Sequence, residues 1–472
     1  MRGSKSLLDF FEGLKPGMRA DSSQQEALLA LENFVLTDTE KGVMVMTGPA
    51  GSGKTFMMKA LVQWMKRQEL PVVLLAPTGR AAKVLARTTR CWANTLHRQL
   101  YRPVEEQSGQ GMSWRIRFEL KAIEKDEPCV FVVDEASMMG NGSGGGESLI
   151  GDLLQQLHQS SSWHKIVLVG DPFQLPPVGE LDSPAFRSES WIPWGCSFSR
   201  VALEGRYRHE KQSPVLDLAG RILDWMKAEA EGTATRPWNE EFGAWVEGYV
   251  AEPQEEGPRL FHNISAAVED YALHYEPGQT VMLSYSNAWA ARFNDGLRAK
   301  WYPSGAGCPS NGESLLVVRN QYLSGGQLLA NGEEVRWIRS QGKAHRHAGM
   351  NWMNGHFAWT GLDGEDREFE GKLCLDLLNS KQASLNPAQQ QALWQHRVSK
   401  GKGAEKDPFM EAVWAKYPYA QTVHKAQGGA WSRVYLLLEK PYAVQDPVAY
   451  LRWLYTAVTR CSDRLIWVQP RL

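Results

Sequence analysis

The chain has 472 residues, with 52 Lys and Arg against 53 Asp and Glu and a formal net charge of −1. This length allows two or more domains, and the neutral balance means that any nucleic-acid partner must be argued from local sites. No apolar run reaches the roughly 18 residues of a membrane span, and residues 1–14 lack the apolar segment of a secretory signal. We therefore expect a cytoplasmic protein without membrane contact. The 6 cysteines form no Cys-x-x-Cys pair, which favours free thiols over a zinc site or a disulfide framework.

One stretch fits the phosphate-loop pattern of Gly, four residues, Gly, Lys and Ser or Thr: Gly48, Pro49, Ala50, Gly51, Ser52, Gly53, Lys54 and Thr55. The apolar run 43–46 predicts a buried strand before it, and residues 56–65 predict a helix after it. The glycines let successive N–H groups point inward, and a helix N-terminus favours a polyphosphate. Lys54 would reach the β- and γ-phosphates of ATP, and the Thr55 hydroxyl would hold Mg²⁺. The alternative is a glycine-rich turn that precedes a helix.

A second strand with a polar end is predicted at Val72–Ala76. It is followed by Pro77, Thr78, Gly79 and Arg80 and then a helical pattern. The repeated strand, loop and helix imply a parallel α/β sheet, in which ligands bind at the carboxyl edge of the strands. Thr78 and Gly79 lie at that edge, where they suit a phosphate or simply cap the helix. Thr95 and His97 bring a hydroxyl and an imidazole together, although a lone histidine is often structural.

An acidic pair, Asp134 and Glu135, ends the next predicted strand, Cys129–Val133. After a phosphate loop, such a pair suits Mg²⁺ binding by Asp134 and activation of the attacking water by Glu135. A helix cap at Asp134 is the alternative. A further strand, 166–170, leads into a proline-rich loop in which Gln174 is held beside the pair, able to sense the γ-phosphate. Residues 101–120 predict a projecting hairpin, and residues 140–146 predict a flexible loop without an assigned function.

Taken in order, these blocks resemble superfamily-one DNA helicases of the 5′-to-3′ branch, the RecD-like and phage Dda-like enzymes. The resemblance runs through residue 25, the phosphate loop, 76–83, 95–97, 134–138 and 170–177, and it is completed by blocks at 419–428 and 455–460. It implies a motor of two RecA-like α/β domains with ATP and Mg²⁺ between them. By similarity, Gln25 reads adenine, Gln427 and Gly428 contact the nucleotide, and Arg208 and Arg460 are arginine fingers. Gln174 would couple hydrolysis to motion.

The resemblance also implies a track for single-stranded DNA. Its expected contacts are Pro77, Thr78, Gly79, Arg80, Thr95, His97, Asn287, Thr422, His424 and Lys425. Expected partners are single-stranded DNA and duplex junctions, together with a single-stranded DNA-binding protein or other replication and repair proteins. The hairpin at 101–120 would part the duplex.

The implied domains are residues 1–200, then 201–305 with 412–472, and an insertion at 306–411. Short alternating segments and glycine-rich turns predict a small β-barrel for the insertion, which in the family is SH3-like. A basic patch there holds DNA or is a solvated face: Arg336, Arg339, Lys343, His345, Arg346 and His347.

These observations favour an ATP-dependent DNA helicase that moves 5′ to 3′ on single-stranded DNA. Three rivals remain. A small-molecule kinase explains the phosphate loop and Asp134 but not the blocks that resemble DNA-contacting motifs. An ATP-bound scaffold leaves the intact catalytic positions unexplained. An ATPase motor subunit of a larger recombination or repair complex is compatible with the same residues.

Overall fold

A computed structural model of the chain describes residues 5–37, 41–105, 116–122, 127–142, 148–160, 164–204, 213–251, 259–303, 307–323, 327–399, 407–439 and 446–469. The described residues divide into two compact units, with the division between Gly220 and Arg221. None of the helices in these ranges is both long and apolar enough to cross a bilayer. The predicted domain boundaries stay a prediction.

The first unit is built on a six-stranded sheet in which all neighbours are parallel, in the order β3-β2-β6-β7-β1-β8. Its strands are β1 (Gly42–Thr47), β2 (Val72–Ala76), β3 (Ala93–Thr95), β4 (Tyr101–Glu105), β5 (Ile116–Leu120), β6 (Cys129–Val133), β7 (His164–Gly170) and β8 (Ser197–Ala202). Its helices are α1 (Leu7–Glu12), α2 (Ser22–Leu36), α3 (Lys54–Arg67), α4 (Gly79–Thr89), α5 (Leu96–Leu100) and α6 (Leu149–His158), with short 3-10 turns at Ala136–Met138, Pro184–Phe186, Ser188–Ser190 and Ile192–Trp194. The predicted strand, loop and helix order is confirmed.

Burial explains why these segments are strands. Every residue of β1 and β7 is buried, as expected for parallel strands that helices cover on both faces. A buried cluster that includes Val45, Phe131, Leu168 and Trp191 fills one face of the sheet. The register sets Thr47 opposite Gly170, so the loops after β1 and β7 leave the same edge.

The strands β4 and β5 lie outside this sheet and pair with each other antiparallel, with Tyr101 opposite Leu120. The two strands of the predicted hairpin are therefore confirmed. Residues 106–115, which would form its tip, lie outside the described residues, and the role of the hairpin in parting a duplex stays a prediction.

The second unit has a five-stranded parallel sheet in the order β18-β10-β19-β20-β9. After α7 (Pro214–Glu231), within which the division falls, come α8 (Trp238–Ala251), β9 (Leu260–Phe261), α9 (Ile264–Leu273), β10 (Thr280–Ser284), α10 (Asn287–Trp301), β17 (Ala415–Lys416), β18 (Ala420–Thr422), α13 (Val423–Ala426), β19 (Trp431–Leu437), α14 (Pro447–Val458) and β20 (Cys461–Val468). The prediction of parallel α/β sheets is thus confirmed in both units.

A separate antiparallel sheet, in the order β16-β15-β14-β11-β17, interrupts the second unit between α10 and β18. The interrupting segment contains β11 (Ser314–Val317), β12 (Gln321–Tyr322), β13 (Leu328–Leu329), β14 (Glu334–His347), β15 (Met350–Thr360), β16 (Asp366–Cys374), α11 (Leu375–Leu378) and α12 (Pro387–Ser399). Its Trp337 and Phe357 rings meet edge to face at 5.0 Å inside the second unit's core. The predicted SH3-like character of this insertion stays a prediction.

Candidate nucleotide and nucleic-acid sites

The phosphate loop connects β1 to α3, as its sequence pattern predicts. Gly53 adopts a φ of 91° in the left-handed region, which favours glycine. A side chain on Gly48 would lie 2.6 Å from the Ser52 hydroxyl, so the loop needs glycine there as well. The helix α3 begins at Lys54 without a side-chain cap, which leaves its first N–H groups available for an anion.

Three side chains of the loop differ in their exposure and contacts. The ammonium of Lys54 donates hydrogen bonds to the main-chain carbonyls of Gly48 at 2.6 Å and Pro49 at 2.9 Å. Lys54 therefore lies along the loop, where phosphate oxygens would compete for it. Thr55 is exposed at the first turn of the helix. Ser52 is fully buried, and its hydroxyl has no hydrogen-bond partner within the described ranges.

The acidic pair lies at the same edge of the sheet, directly after β6. The Asp134 carboxylate accepts a hydrogen bond from the Glu135 N–H at 2.9 Å. Burial and the neighbouring Glu135 carboxylate raise the pKa of Asp134 to about 7, and the positive charge of Lys54 acts in the opposite direction. This coupling brings the phosphate-loop lysine and the predicted metal ligand into one electrostatic site. Carboxylate and hydroxyl oxygens are ligands that suit Mg²⁺, so Asp134 and Thr55 fit that ion chemically.

The main chain of Glu135 is strained. Its φ of 52° lies in the left-handed region, which costs a residue with a side chain about 1–3 kcal/mol and is found preferentially at functional sites. The turn allows the chain to leave β6 and enter the 3-10 turn Ala136–Met138 at once. The strained backbone therefore marks the acidic pair as a functional site, and no sequence pattern predicted it.

The proline-rich loop after β7 is ordered around Asp171. This aspartate is 1 % exposed, and its carboxylate accepts a hydrogen bond from the Phe173 N–H at 3.0 Å. Gln174 is also buried, and its Oε1 atom has no hydrogen-bond partner in the described part of the chain. The loop thus buries Gln174 within the first unit, while its position beside the acidic pair and its role as a sensor stay predictions.

The glutamine beside the phosphate loop is Gln24. A side chain built on Gly53 would lie 2.8 Å from its Nε2 atom, and Gln24 is buried through a reciprocal cap with Asp21 at the start of α2. Gln25, the predicted adenine reader, is exposed and donates to the Ala20 carbonyl at 2.8 Å. Sequence reasoning missed Gln24. The spacing of Asp21 and Gln24 is that of a capping box, and it could have revealed which glutamine turns inward.

The predicted DNA contacts of the first unit lie at two helix starts. Thr78 caps α4 by accepting from the Ala81 N–H at 3.2 Å, and Thr95 caps α5 by accepting from the Arg98 N–H at 3.1 Å. Pro77, Gly79 and Arg80 flank the first of these caps. His97 is only 9 % exposed, and its ring lies 4.9 Å from that of Tyr101. Burial, with the nearby Lys121 charge, lowers the pKa of His97 to about 4, so it is neutral at physiological pH.

In the second unit the two C-terminal blocks meet. Arg460 is 5 % exposed, and its guanidinium donates to the carbonyls of Gly429 at 3.1 Å and Thr456 at 3.2 Å. The block at 419–428 therefore lies beside the second predicted finger. Gln427 is buried, and Gly428 has a φ of 75°. The first predicted finger, Arg208, lies outside the described residues.

The remaining predicted DNA contacts gather at the edge strand β18 and its neighbour α10. Asn287 opens α10, Thr422 ends β18, and Lys425 follows in α13. All three line one cavity of the second unit. His424 is half-buried, and burial lowers its pKa. Tertiary structure thus brings together residues that are more than 130 positions apart.

Comparison with known proteins agrees with this arrangement. A family described as an AAA domain matches residues 20–188, and a family described as a UvrD-like helicase C-terminal domain matches residues 417–468. The chain is 31 % identical over 182 residues to the ATP-dependent RecD2 DNA helicase of Deinococcus radiodurans, covering 38 % of this chain and 22 % of that protein. It is 26 % identical over 201 residues to the ATP-dependent DNA helicase Pif1 of a Psychrobacter strain, covering 39 % of this chain and 28 % of that protein.

A third relative is the ATP-dependent DNA helicase dda of Enterobacteria phage T4, 28 % identical over 186 residues that cover 38 % of this chain and 37 % of the relative. The chain thus spans well under half the length of these curated relatives. A solved structure of two coordinating Pif1 helicases at forked double-stranded DNA aligns with 96 % of this chain and 92 % of its own, with a TM-score of 0.50 and 15 % identity. At that identity the likeness concerns the fold alone.

Proposed function

The chain belongs to the superfamily-one helicase family, and from this premise we propose that it is an ATP-dependent DNA helicase that moves 5′ to 3′ on single-stranded DNA. The observation that carries the proposal is that the phosphate loop after β1 and the buried acidic pair after β6 leave the same edge of one parallel sheet. Lys54 is near enough to Asp134 for its positive charge to oppose the rise in the pKa of that carboxyl. A phosphate loop alone supports nucleotide binding, whereas a loop coupled to a buried acidic pair supports hydrolysis.

The residues of the first unit have distinct roles in this proposal. The N–H groups at the start of α3, which no side chain caps, and the Lys54 ammonium bind the phosphates of ATP, and Thr55 and Asp134 hold Mg²⁺. The ion, when bound, neutralises charge on the transferring phosphoryl group. Glu135 orients and deprotonates the attacking water. The buried carbonyl oxygen of Gln174, which has no partner among the described residues, supports its assignment as the group that senses the γ-phosphate.

Hydrolysis also requires positive charge on the γ-phosphate from outside the phosphate loop. We assign this to Arg460 and Arg208, and Gln427 and Gly428 complete the nucleotide contacts of the second unit. The Arg460 guanidinium donates to the Gly429 and Thr456 carbonyls and to the Thr459 hydroxyl, and phosphate oxygens would compete for these donors when ATP is bound. Movement of the two units on binding and release of ATP would be converted into movement along DNA.

Single-stranded DNA would be bound through helix N-termini and main-chain turns more than through charged side chains. Thr78, Thr95 and Thr422 precede helices whose first N–H groups suit phosphate oxygens. Asn287 and Lys425 add an amide and an ammonium. Since the chain as a whole is nearly neutral, a local track of this kind is what single-strand binding requires.

The proposal is tested by measuring ATP hydrolysis with and without single-stranded DNA, together with unwinding of duplexes that carry a 5′ or a 3′ tail. We expect DNA to stimulate hydrolysis and only the 5′-tailed duplex to be opened efficiently. Hydrolysis that DNA leaves unchanged would favour a small-molecule kinase or a scaffold, and preference for a 3′ tail would refute the direction.

The matched variant is Lys54→Ala, with Lys66→Ala as control on the exposed side of the same helix. The Lys54 ammonium donates to main-chain carbonyls of its own loop, and we expect the fold to tolerate its loss. We expect DNA-stimulated hydrolysis to fall by at least about a hundredfold while the melting temperature stays unchanged. A variant that folds normally and still unwinds DNA would contradict the assignment.

A further inference from the structure

A cavity of about 40 Å³ lies in the second unit beside β18 and α10. This volume admits two or three water molecules or one compact group that replaces them. Asn287, Thr422 and Lys425 reach it from the predicted DNA track, but most of its wall comes from residues to which no role has been assigned. Among these are Gln421, Lys381 and Lys416.

The side-chain amide of Gln421 is buried and makes no described hydrogen bond that would stabilise the fold. Gln421 is 3 % exposed, and neither its Oε1 nor its Nε2 atom has a hydrogen-bond partner among the described residues. Its neighbour Asn294 provides the contrast, because its amide donates to the Tyr417 and Ala420 carbonyls and accepts from the Ala420 N–H. Asn294 therefore already anchors β18 to α10. A buried amide that stabilises nothing is unfavourable, which indicates a ligand for Gln421.

The charges around the cavity are unbalanced. Lys381, Lys416 and Lys425 line it against a single carboxylate, Asp295. The Lys416 ammonium donates to the carbonyls of Leu377 and Ser380. Burial and the Lys425 charge lower the pKa of Lys416 to about 8, and burial also lowers the pKa of Lys425. A neighbouring anion would stabilise the positive charge of both half-buried lysines.

We propose that this cavity, the Gln421 pocket, binds one phosphate group through the Gln421 amide and the ammonium groups of Lys416 and Lys425. The group would be either a backbone phosphate of single-stranded DNA or a free phosphate. The first source rests on the proposed function, and continuity with Asn287 and Thr422 favours it. The pocket would then extend the track from the block at 419–428 to Lys416, which lies outside the helicase blocks.

The deciding variant is Gln421→Leu, which keeps the side-chain volume and removes the buried polar atoms. Its control is Gln341→Leu on the exposed part of β14 in the same unit. We expect the melting temperature of the Gln421 variant to equal or exceed that of the wild type. We expect its affinity for a fluorescent oligonucleotide to fall about tenfold, the loss of one hydrogen bond to a charged group. ATP hydrolysis without DNA should be unchanged.

A second arm compares the thermal stabilisation of wild type and variant by inorganic phosphate, at an ionic strength held constant with chloride. Loss of oligonucleotide affinity identifies the DNA backbone as the source, whereas loss of phosphate stabilisation alone identifies a free anion. The proposal is overturned if the variant keeps both its oligonucleotide affinity and its stabilisation by phosphate, whether or not its melting temperature falls. If the wild type binds no DNA, the proposed function fails, but the comparison with inorganic phosphate still tests whether the pocket binds a phosphate group.

Discussion

The carboxyl edges of the two parallel sheets place their functional residues by different means. In the first unit, short contiguous stretches follow buried strands, and each stretch folds locally into its loop, cap or turn. In the second unit the corresponding edge is completed by Lys381 and Lys416, which come from the segment that interrupts the unit. The comparison teaches that the nucleotide half-site is a local property of the chain, whereas the pocket beside β18 exists only when distant segments meet.

The largest effect that tests this contrast is expected from Arg460→Lys. The substitution keeps a positive charge in the second unit but loses the guanidinium fork. If the second unit contributes a finger, DNA-stimulated ATP hydrolysis should fall by about a thousandfold with ATP binding retained. Arg339→Lys, at an exposed position of β14, is the control. A loss of only a few fold would mean that hydrolysis depends on the first unit's local site without this finger.

The next prediction compares the stability lost by replacing two lysines whose ammonium groups both donate to main-chain carbonyls. Lys165 of β7 is fully buried and donates to the carbonyls of Phe34, Val35 and Thr37 at the end of α2. We expect Lys165→Met to lower the free energy of unfolding by about 2–4 kcal/mol, measured by urea denaturation. Lys416→Met should cost about 1 kcal/mol or less, because the Lys416 ammonium donates to two carbonyls and its positive charge is opposed by burial and by the Lys425 charge. Equal losses would show that Lys416 has only a structural role.

Packing of the inserted antiparallel sheet is tested by Gly355→Ala. A side chain at this position would lie 2.2 Å from the buried Trp337 ring, so we expect a loss of about 1–3 kcal/mol. Gly243→Ala in α8 is the matched control, because the space around it is open and alanine should stabilise the helix by about 0.5–1 kcal/mol. Nucleotide binding by the first unit, measured with a fluorescent analogue, should be unchanged in the Gly355→Ala variant despite its lower stability. Its disappearance would contradict a locally built nucleotide site.

The smallest effect concerns His97, whose pKa is about 4 against an ordinary value of 6.5. The unfolded chain takes up this proton first, so stability should fall as the pH drops from about 6.5 to about 4, by at most about 1.4 kcal/mol for each pH unit in that range. His97→Gln should remove that part of the acid sensitivity, whereas His158→Gln at an exposed position should not. Denaturation midpoints at pH 7 and pH 4.5 provide the measurement. An unchanged pH dependence would mean that His97 is accessible, as a direct DNA contact requires.

The sequence by itself determined the α/β architecture and most of the first unit's site. The strands β2 and β6 were predicted with the bounds that the structure has, because buried parallel strands are continuous apolar runs. Lys54 and Asp134 lie at one edge of the sheet, since parallel strands present their carboxyl ends together, and their roles there stay predictions. The family was also identified from the order of the blocks.

Only the tertiary structure decided which side chains are buried, strained or without partners. It placed Gln24 against Gly53, put Glu135 in a left-handed turn and left the Gln421 amide without a described partner in a cavity that two lysines also line. The physical reason is the range of the interactions. Turns and caps depend on neighbours within a few residues, and a sequence displays these directly. Desolvation and cavity walls depend on segments that meet only when the chain has folded.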